Sequence, residues 1–499
     1  MRTFRAHTAI RTGITLAALA AVILAGALTV FRAEATDLSE VKKLTASATQ
    51  ADARFGRSVA VSGDSAIVGA PQPGFSAGAA YLFERDLGGP GNWGEVTTLT
   101  ASDAQFNDVF GFSVAISGDT AIVGAFRLGA AYIFERNQGG PGNWGEVTTL
   151  TASDADGQFT DIFGFSVAIS GDSAIVGDPQ EDAGGVGFSA GAVYVFGRDL
   201  GGPGNWGEVQ KLIASDAQGG DRFGESLAIS GNSAIVGVPQ AGDNFSGRAY
   251  VFERDEGGPD NWGEVTKLTA SDAQILGGFG FAVAISGDTA IGGAIGETNA
   301  GGTDAGAAYV FERDQGGPGN WGEVKKLTAS DAQPFDLFGT GVAISGGSAV
   351  VGAAAGGGGT AYVFKRDQGG PGNWGEVTKL TASDAEAGDG FGGSSKEGGG
   401  VALSGDTTVV GARGEDTGGA DAGAAYVFDL LLPKPTATPT PTPDPSVGGI
   451  AELPKVAGAS LETGGSSGGN AGVLAGVASA MAAVAVALGG AAWYARRRQ

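Results

Sequence analysis

Residues 110–151 read FGFSVAISGDTAIVGAFRLGAAYIFERNQGGPGNWGEVTTLT, and they contain four short strand-like runs. Phe112–Ser117 alternates small or polar with apolar residues, Gly118-Asp119 supplies a two-residue turn, and Thr120–Ala125 returns antiparallel. Ala130–Glu135 makes a third strand, and the turn Gly139–Trp144 leads into a fourth, Gly145–Thr151. We name these strands A to D. The Ser-Gly-Asp turn recurs as Ser62-Gly63-Asp64, Ser117-Gly118-Asp119, Ser170-Gly171-Asp172, Ser230-Gly231-Asn232, Ser286-Gly287-Asp288, Ser345-Gly346-Gly347 and Ser404-Gly405-Asp406, at spacings of 55, 53, 60, 56, 59 and 59 residues. A period of this size, filled with short strands, marks a repeat architecture.

The aromatic residues keep the same period. Tyr81, Tyr132, Tyr194, Tyr250, Tyr309, Tyr362 and Tyr426 fall once per copy in strand C, each followed two residues later by Phe, so both rings share one strand face. Trp93, Trp144, Trp206, Trp262, Trp321 and Trp374 open strand D. A stripe present in every copy is read as packing. The chain ends complement each other. Glu40–Ser47 (EVKKLTAS) repeats strand D as written at Glu323–Ser330, whereas the last copy stops after strand C at Tyr426-Val427-Phe428. The expected fold is all-β: a seven-bladed β-propeller over 36–432, its last blade completed by the N-terminal outer strand, with sheet edges protected by closure.

Each copy also carries Phe-Gly before strand A (Phe55-Gly56, Phe110-Gly111, Phe163-Gly164, Phe223-Gly224, Phe279-Gly280, Phe338-Gly339, Phe391-Gly392). Strand B ends in Gly-Ala-Pro at Gly69-Ala70-Pro71 and in variants such as Gly177-Asp178-Pro179 and Gly237-Val238-Pro239. This pattern resembles the FG-GAP repeat family, whose best-known members are the integrin α-subunit propellers. The resemblance implies an extracellular propeller used in adhesion or ligand binding. It does not carry over the family's Asp-x-Asp-x-Asp-Gly calcium loops, because here the A–B join is the short Ser-Gly-Asp-Thr turn. No cofactor is expected. The nearest approach to a Ca²⁺ loop is Asp154-Ala155-Asp156-Gly157 with Asp161.

The two ends suggest a location. Residues 1–35 combine Arg2, Arg5 and Arg11, an apolar run and Ala33-Glu34-Ala35, the pattern of a secretory signal, with an uncleaved anchor as the alternative. Residues 433–470 are Pro/Thr- and then Gly/Ser-rich, a stalk. Residues 471–494 are uncharged, and as a helix would extend about 36 Å, the length of a transmembrane span. Trp493 and Tyr494 suit the interface, and 495–499 form a short basic cytoplasmic tail. The expectation is a single-pass cell-surface membrane protein with its propeller outside.

Composition narrows the chemistry. The net charge is −24, there is no Cys, and His7 is the one histidine. A basic patch for nucleic acid is missing, and imidazole or thiol catalysis in the propeller is excluded. A carboxylate pair could hydrolyse glycans, yet the acids recur by repeat instead of forming one distinctive constellation. We therefore expect no enzyme. The A–B and C–D turns are nearly constant among copies, whereas the B–C and D–A loops vary and are acidic. Asp103, Asp108, Asp154, Asp156, Asp161, Asp221, Asp336 and Asp389 lie in D–A loops, and Glu181, Asp182, Asp304, Glu415 and Asp416 in B–C loops. These are the candidate ligand-face residues, and an extracellular protein or glycan the expected partner. The alternatives are a passive structural envelope protein, with the acids as a solvated coat, and a carboxylate-based glycan-processing enzyme.

Overall fold

The computed structural model describes residues 38–433 except 49, 73–75, 155–160, 183–186, 201, 243, 257, 355–356 and 394–399. The chain divides into units 1–436 and 437–499, and the propeller lies in the first. The signal, stalk, transmembrane and tail expectations (1–35 and 434–499), like Asp156, fall outside the described residues. Among the described residues no helix is long and apolar enough to cross a membrane.

The described chain forms seven four-stranded antiparallel sheets, one per repeat, giving an all-β seven-bladed propeller. In blade 2 the strands are Ser113–Ser117, Thr120–Ala125, Ala130–Arg136 and Trp144–Leu150, within one residue or so of the expected bounds. Strand B is buried along its whole length (Thr120–Ala125), as a central strand covered on both faces must be. In blade 7, strands A to C are Val401–Ser404, Thr407–Ala412 and Ala424–Pro433, and Leu38–Leu44 pairs antiparallel with the last of them.

The Phe-Gly pair stitches neighbouring blades. Phe110 N–H donates to the Ala77 carbonyl of blade 1 at 2.8 Å, and the Phe110 ring packs edge-on against Tyr132 and Phe134 of its own blade, centroids 5.5 and 6.0 Å apart. Gly111 adopts φ +87°, and a Cβ there would lie 2.2 Å from the Ala79 carbonyl oxygen, so no side chain fits. Burial of the ring and a glycine-only backbone explain why both residues recur in every copy.

Two rings of side-chain bonds run around the molecule. The Ser that follows strand D donates to the strand-D Glu of the next blade: Ser47 to Glu95, Ser102 to Glu146, Ser153 to Glu208, Ser215 to Glu264, Ser271 to Glu323, Ser330 to Glu376 and Ser383 to Glu40. On the face carrying the A–B turns, each turn Gly N–H donates to the Ser hydroxyl of the preceding blade, from Gly118 to Ser62 through Gly405 to Ser345, with Gly63 to Ser404 at 3.1 Å. The turn aspartates are also engaged: Asp119 and Asp288 lie 2.9 and 2.8 Å from Nε of Arg136 and Arg313 at the ends of their own C strands.

Candidate functional site

The D–A and B–C loops share the face opposite the A–B turns, as antiparallel blades require. On it the first Asp of six of the seven D–A loops reaches into the next blade; the loop after Leu38–Leu44 has Ala48 at that position. Asp103, Asp154, Asp216, Asp272, Asp331 and Asp384 accept the phenol O–H of Tyr132, Tyr194, Tyr250, Tyr309, Tyr362 and Tyr426 at 2.5–2.8 Å. A strand-D lysine completes most of these contacts: Lys211 to Asp154 at 2.6 Å, Lys267 to Asp216 at 2.9 Å, Lys326 to Asp272 at 2.7 Å, Lys43 to Asp384 at 2.6 Å, and Lys379 to Asp331. Desolvation pulls the Asp154, Asp216, Asp272 and Asp384 carboxyls upward, but the Lys and Tyr hydrogen bonds outweigh it and hold all four below the usual carboxylate range. Asp331 is held down chiefly by Lys379. Burial and these same carboxylates push the partner tyrosines far up.

The second loop Asp folds its own loop. Asp108, Asp221, Asp336 and Asp389 accept the backbone N–H of Gln105, Gln218, Gln333 and Glu386 at 2.6–2.9 Å. Among the B–C loop candidates, Asp182 accepts Ser189 N–H at 2.9 Å and Asp416 accepts Asp421 N–H at 2.7 Å. Asp304 holds a left-handed φ of +51° and its carbonyl accepts Leu337 N–H at 3.1 Å. Glu181 and Glu415 take Lys211 and Lys43 at 2.8 and 2.7 Å. The described candidate acids thus share one face, and many of them hold that face together.

Sequence reading missed three features of this end of the molecule. Asp178 replaces the Ala or Val that ends strand B elsewhere (Ala70, Ala125, Val238, Ala294, Ala353, Ala412), and that departure was its available signal. It is buried, accepts N–H of Ile162 and Gln180 at 3.1 Å, and burial above all raises its carboxyl to about 7. One carboxylate oxygen each from Asp161, Asp178 and Glu181 lie within 4.8 Å of one another, a trio able to hold a cation. Second, the loop tips expose large apolar side chains: Phe106, Phe188 (85 % exposed), Phe245, Ile275, Leu276 and Phe335. Third, the starts of the A strands line a central cavity of about 180 Å³, where one position varies among copies as Arg57, Phe112, Phe165, Glu225 and Phe281. There Arg57 stacks on Phe112, its guanidinium 4.0 Å from the ring centroid, and burial raises the Glu225 carboxyl against the pull of Arg222.

Similar solved structures include a candidate 6-phosphogluconolactonase from Bacteroides fragilis (13 % identity, TM-score 0.44, covering 66 % of this chain and 84 % of that one). A protein from Lactobacillus plantarum aligns at 15 % identity and TM-score 0.43, over 69 % of this chain and 88 % of its own. At these scores neither likeness bears on activity. No curated protein matches the chain. The FG-GAP repeat profile matches seven times, at residues 38–83, 93–134, 144–196, 206–252, 262–311, 321–364 and 374–428, so the chain belongs to the FG-GAP repeat family.

Proposed function

We propose that this protein is a surface-anchored propeller whose variable loop face binds an extracellular protein or glycan, and that it is not an enzyme. The carrying observation is the contrast between the two ends of the blades. The constant turns are tied to one another, whereas the variable loops expose Phe106, Phe188, Phe245, Ile275, Leu276 and Phe335 among carboxylates. Apolar tips ringed by polar groups cost solubility and are a common composition of recognition surfaces. In this reading residues 1–35 direct export, 471–494 anchor the chain, and the N-terminal strand Leu38–Leu44 acts as the clasp of the ring.

Two experiments test the reading. Protease applied to intact cells should remove the propeller epitope while leaving a membrane-bound C-terminal fragment, and a protected epitope would refute the orientation. Full-length protein in detergent should bind saturably to cells or to a glycan array. Phe106→Ser, Phe188→Ser and Phe335→Ser should weaken that binding with little change in thermal stability. Absence of binding would favour the passive envelope role.

A further inference from the structure

A pocket between blades 1 and 2 carries the opposite charge to the face around it. Arg54 and Arg57 of blade 1 and Arg127 of blade 2 line a cavity of about 130 Å³, and its remaining walls are the rings of Phe112 and Phe126, a proline and a valine. None of these residues is acidic, although the chain carries 54 Asp and Glu against 30 Lys and Arg. Arg54 and Arg57 flank the Phe55-Gly56 pair, and the other copies show what a cation there ordinarily meets. In blade 4 the same two positions are Arg222 and Glu225, whose Nε and Oε2 lie 3.4 Å apart, so the cation is neutralised within its own blade. In the remaining five copies neither position is charged. Blade 1 sets two cations there, and Arg127 in the next B–C loop adds a third. Arg57 is 5 % exposed and stacks on Phe112, which in turn meets Phe126 edge-on, centroids 4.5 Å apart. Among the described residues the side chains of half-buried Arg54 and exposed Arg127 have neither an ion pair nor a hydrogen bond.

Guanidinium groups only donate, and no side chain of the lining accepts, so the polar end of a matching ligand is an acceptor-only anion. A carboxylate is the compact planar match to a guanidinium fork. The body of the ligand must be apolar. A sugar would bring hydroxyl donors to walls of rings, aliphatic groups and further donors, and a bare inorganic anion would leave the rings uncovered. The size suits one six-membered ring, since a cavity of about 150 Å³ holds benzene. An aromatic ring suits these walls better than a saturated one, because phenylalanine pairs edge-on with it and guanidinium stacks on its face. We infer that this pocket binds a single-ring aromatic carboxylate, with Arg54 and Arg127 donating to the carboxylate and Phe112 and Phe126 covering the ring. A free aryl acid and the C-terminal Phe or Tyr of a peptide share this chemistry. The site is separate from the exposed Phe tips and does not depend on their binding a partner.

The test titrates full-length protein with phenylacetate and N-acetyl-phenylalanine, in parallel with phenylacetamide, acetate, cyclohexylacetate and glucuronate, read by calorimetry or saturation-transfer NMR. Phenylacetate should bind at least about tenfold more tightly than phenylacetamide, the value of one charge-assisted hydrogen bond, and than acetate, the value of burying a ring. It should exceed cyclohexylacetate by roughly threefold and also exceed glucuronate. Tighter binding of N-acetyl-phenylalanine than of phenylacetate assigns a peptide C-terminus as the source, and the reverse a free aryl acid; both uphold the proposal. Arg54→Gln and Arg127→Gln should each weaken phenylacetate by roughly fivefold or more. Arg127 is exposed and unpaired, so its variant keeps the test valid should Arg54→Gln fail to fold. No response to either aromatic acid, equal or tighter binding of any of the four controls, or unchanged affinity in Arg127→Gln overturns the proposal. The Phe106→Ser, Phe188→Ser, Phe335→Ser protein should bind phenylacetate as the wild type does, so failure of this pocket and failure of the face are read separately.

Discussion

Lys43 in the N-terminal strand places its ammonium 2.6 Å from Asp384 and 2.7 Å from Glu415, residues 341 and 372 positions further along the chain. Glu40 of the same strand accepts Ser383 N–H at 3.0 Å. Lys43→Met should therefore cost on the order of 2 kcal/mol, because it strands a buried carboxylate. Deleting Leu38–Leu44 should do more, exposing the edge of strand Ala424–Pro433 and promoting association. Urea unfolding and size-exclusion chromatography check both, and a deletion variant of unchanged stability would refute the clasp.

Two glycines separate backbone strain from steric conflict. Gly118 has φ +57° with open space where a Cβ would sit, so Gly118→Ala should cost about 1 kcal/mol for the left-handed backbone alone. Gly111 adds a 2.2 Å approach to the Ala79 carbonyl oxygen, and Gly111→Ala should cost roughly 3 kcal/mol or more. Similar midpoints for the two variants would contradict the stitching role of Phe-Gly.

Stability should peak at mildly acidic pH. Asp154, Asp216, Asp272, Asp331 and Asp384 titrate lower in the folded chain, so their contribution is complete above the unfolded value near 3.8 and is lost as pH falls through the folded values. Asp178 behaves oppositely. Raised to about 7, it takes up a proton on folding, and stability falls as pH rises from about 4 to about 7. Asp178→Asn keeps an acceptor for Ile162 and Gln180 N–H and removes the charge. It should raise the melting temperature at pH 8 and flatten the profile between pH 4.5 and 8. An unchanged slope would show that Asp178 is not the source.

The blade was legible in the sequence because its signals are local: strand alternation, a two-residue turn and a recurring Phe-Gly. The complementary strand D at the N-terminus was legible because a repeat shows what its last copy lacks. The partners of the loop carboxylates were not. Tyr132 recurs once per copy and Asp103 in six of the seven D–A loops, but nothing in their spacing says that the loop leaving one blade meets the tyrosine of the next at 2.7 Å. The acids also look alike in sequence, although Asp389 folds its loop while one oxygen of Glu415 has no donor. What separates them is which backbone N–H groups each can reach, a property of the assembled ring.

The central claim is that the variable face is a binding surface, and the most direct measurement compares saturable binding to intact cells by the wild-type protein and by the Phe106→Ser, Phe188→Ser, Phe335→Ser triple variant. These side chains are exposed, so the melting temperatures should agree within a few degrees while affinity falls by about tenfold or more. Equal binding by the two proteins would contradict the account.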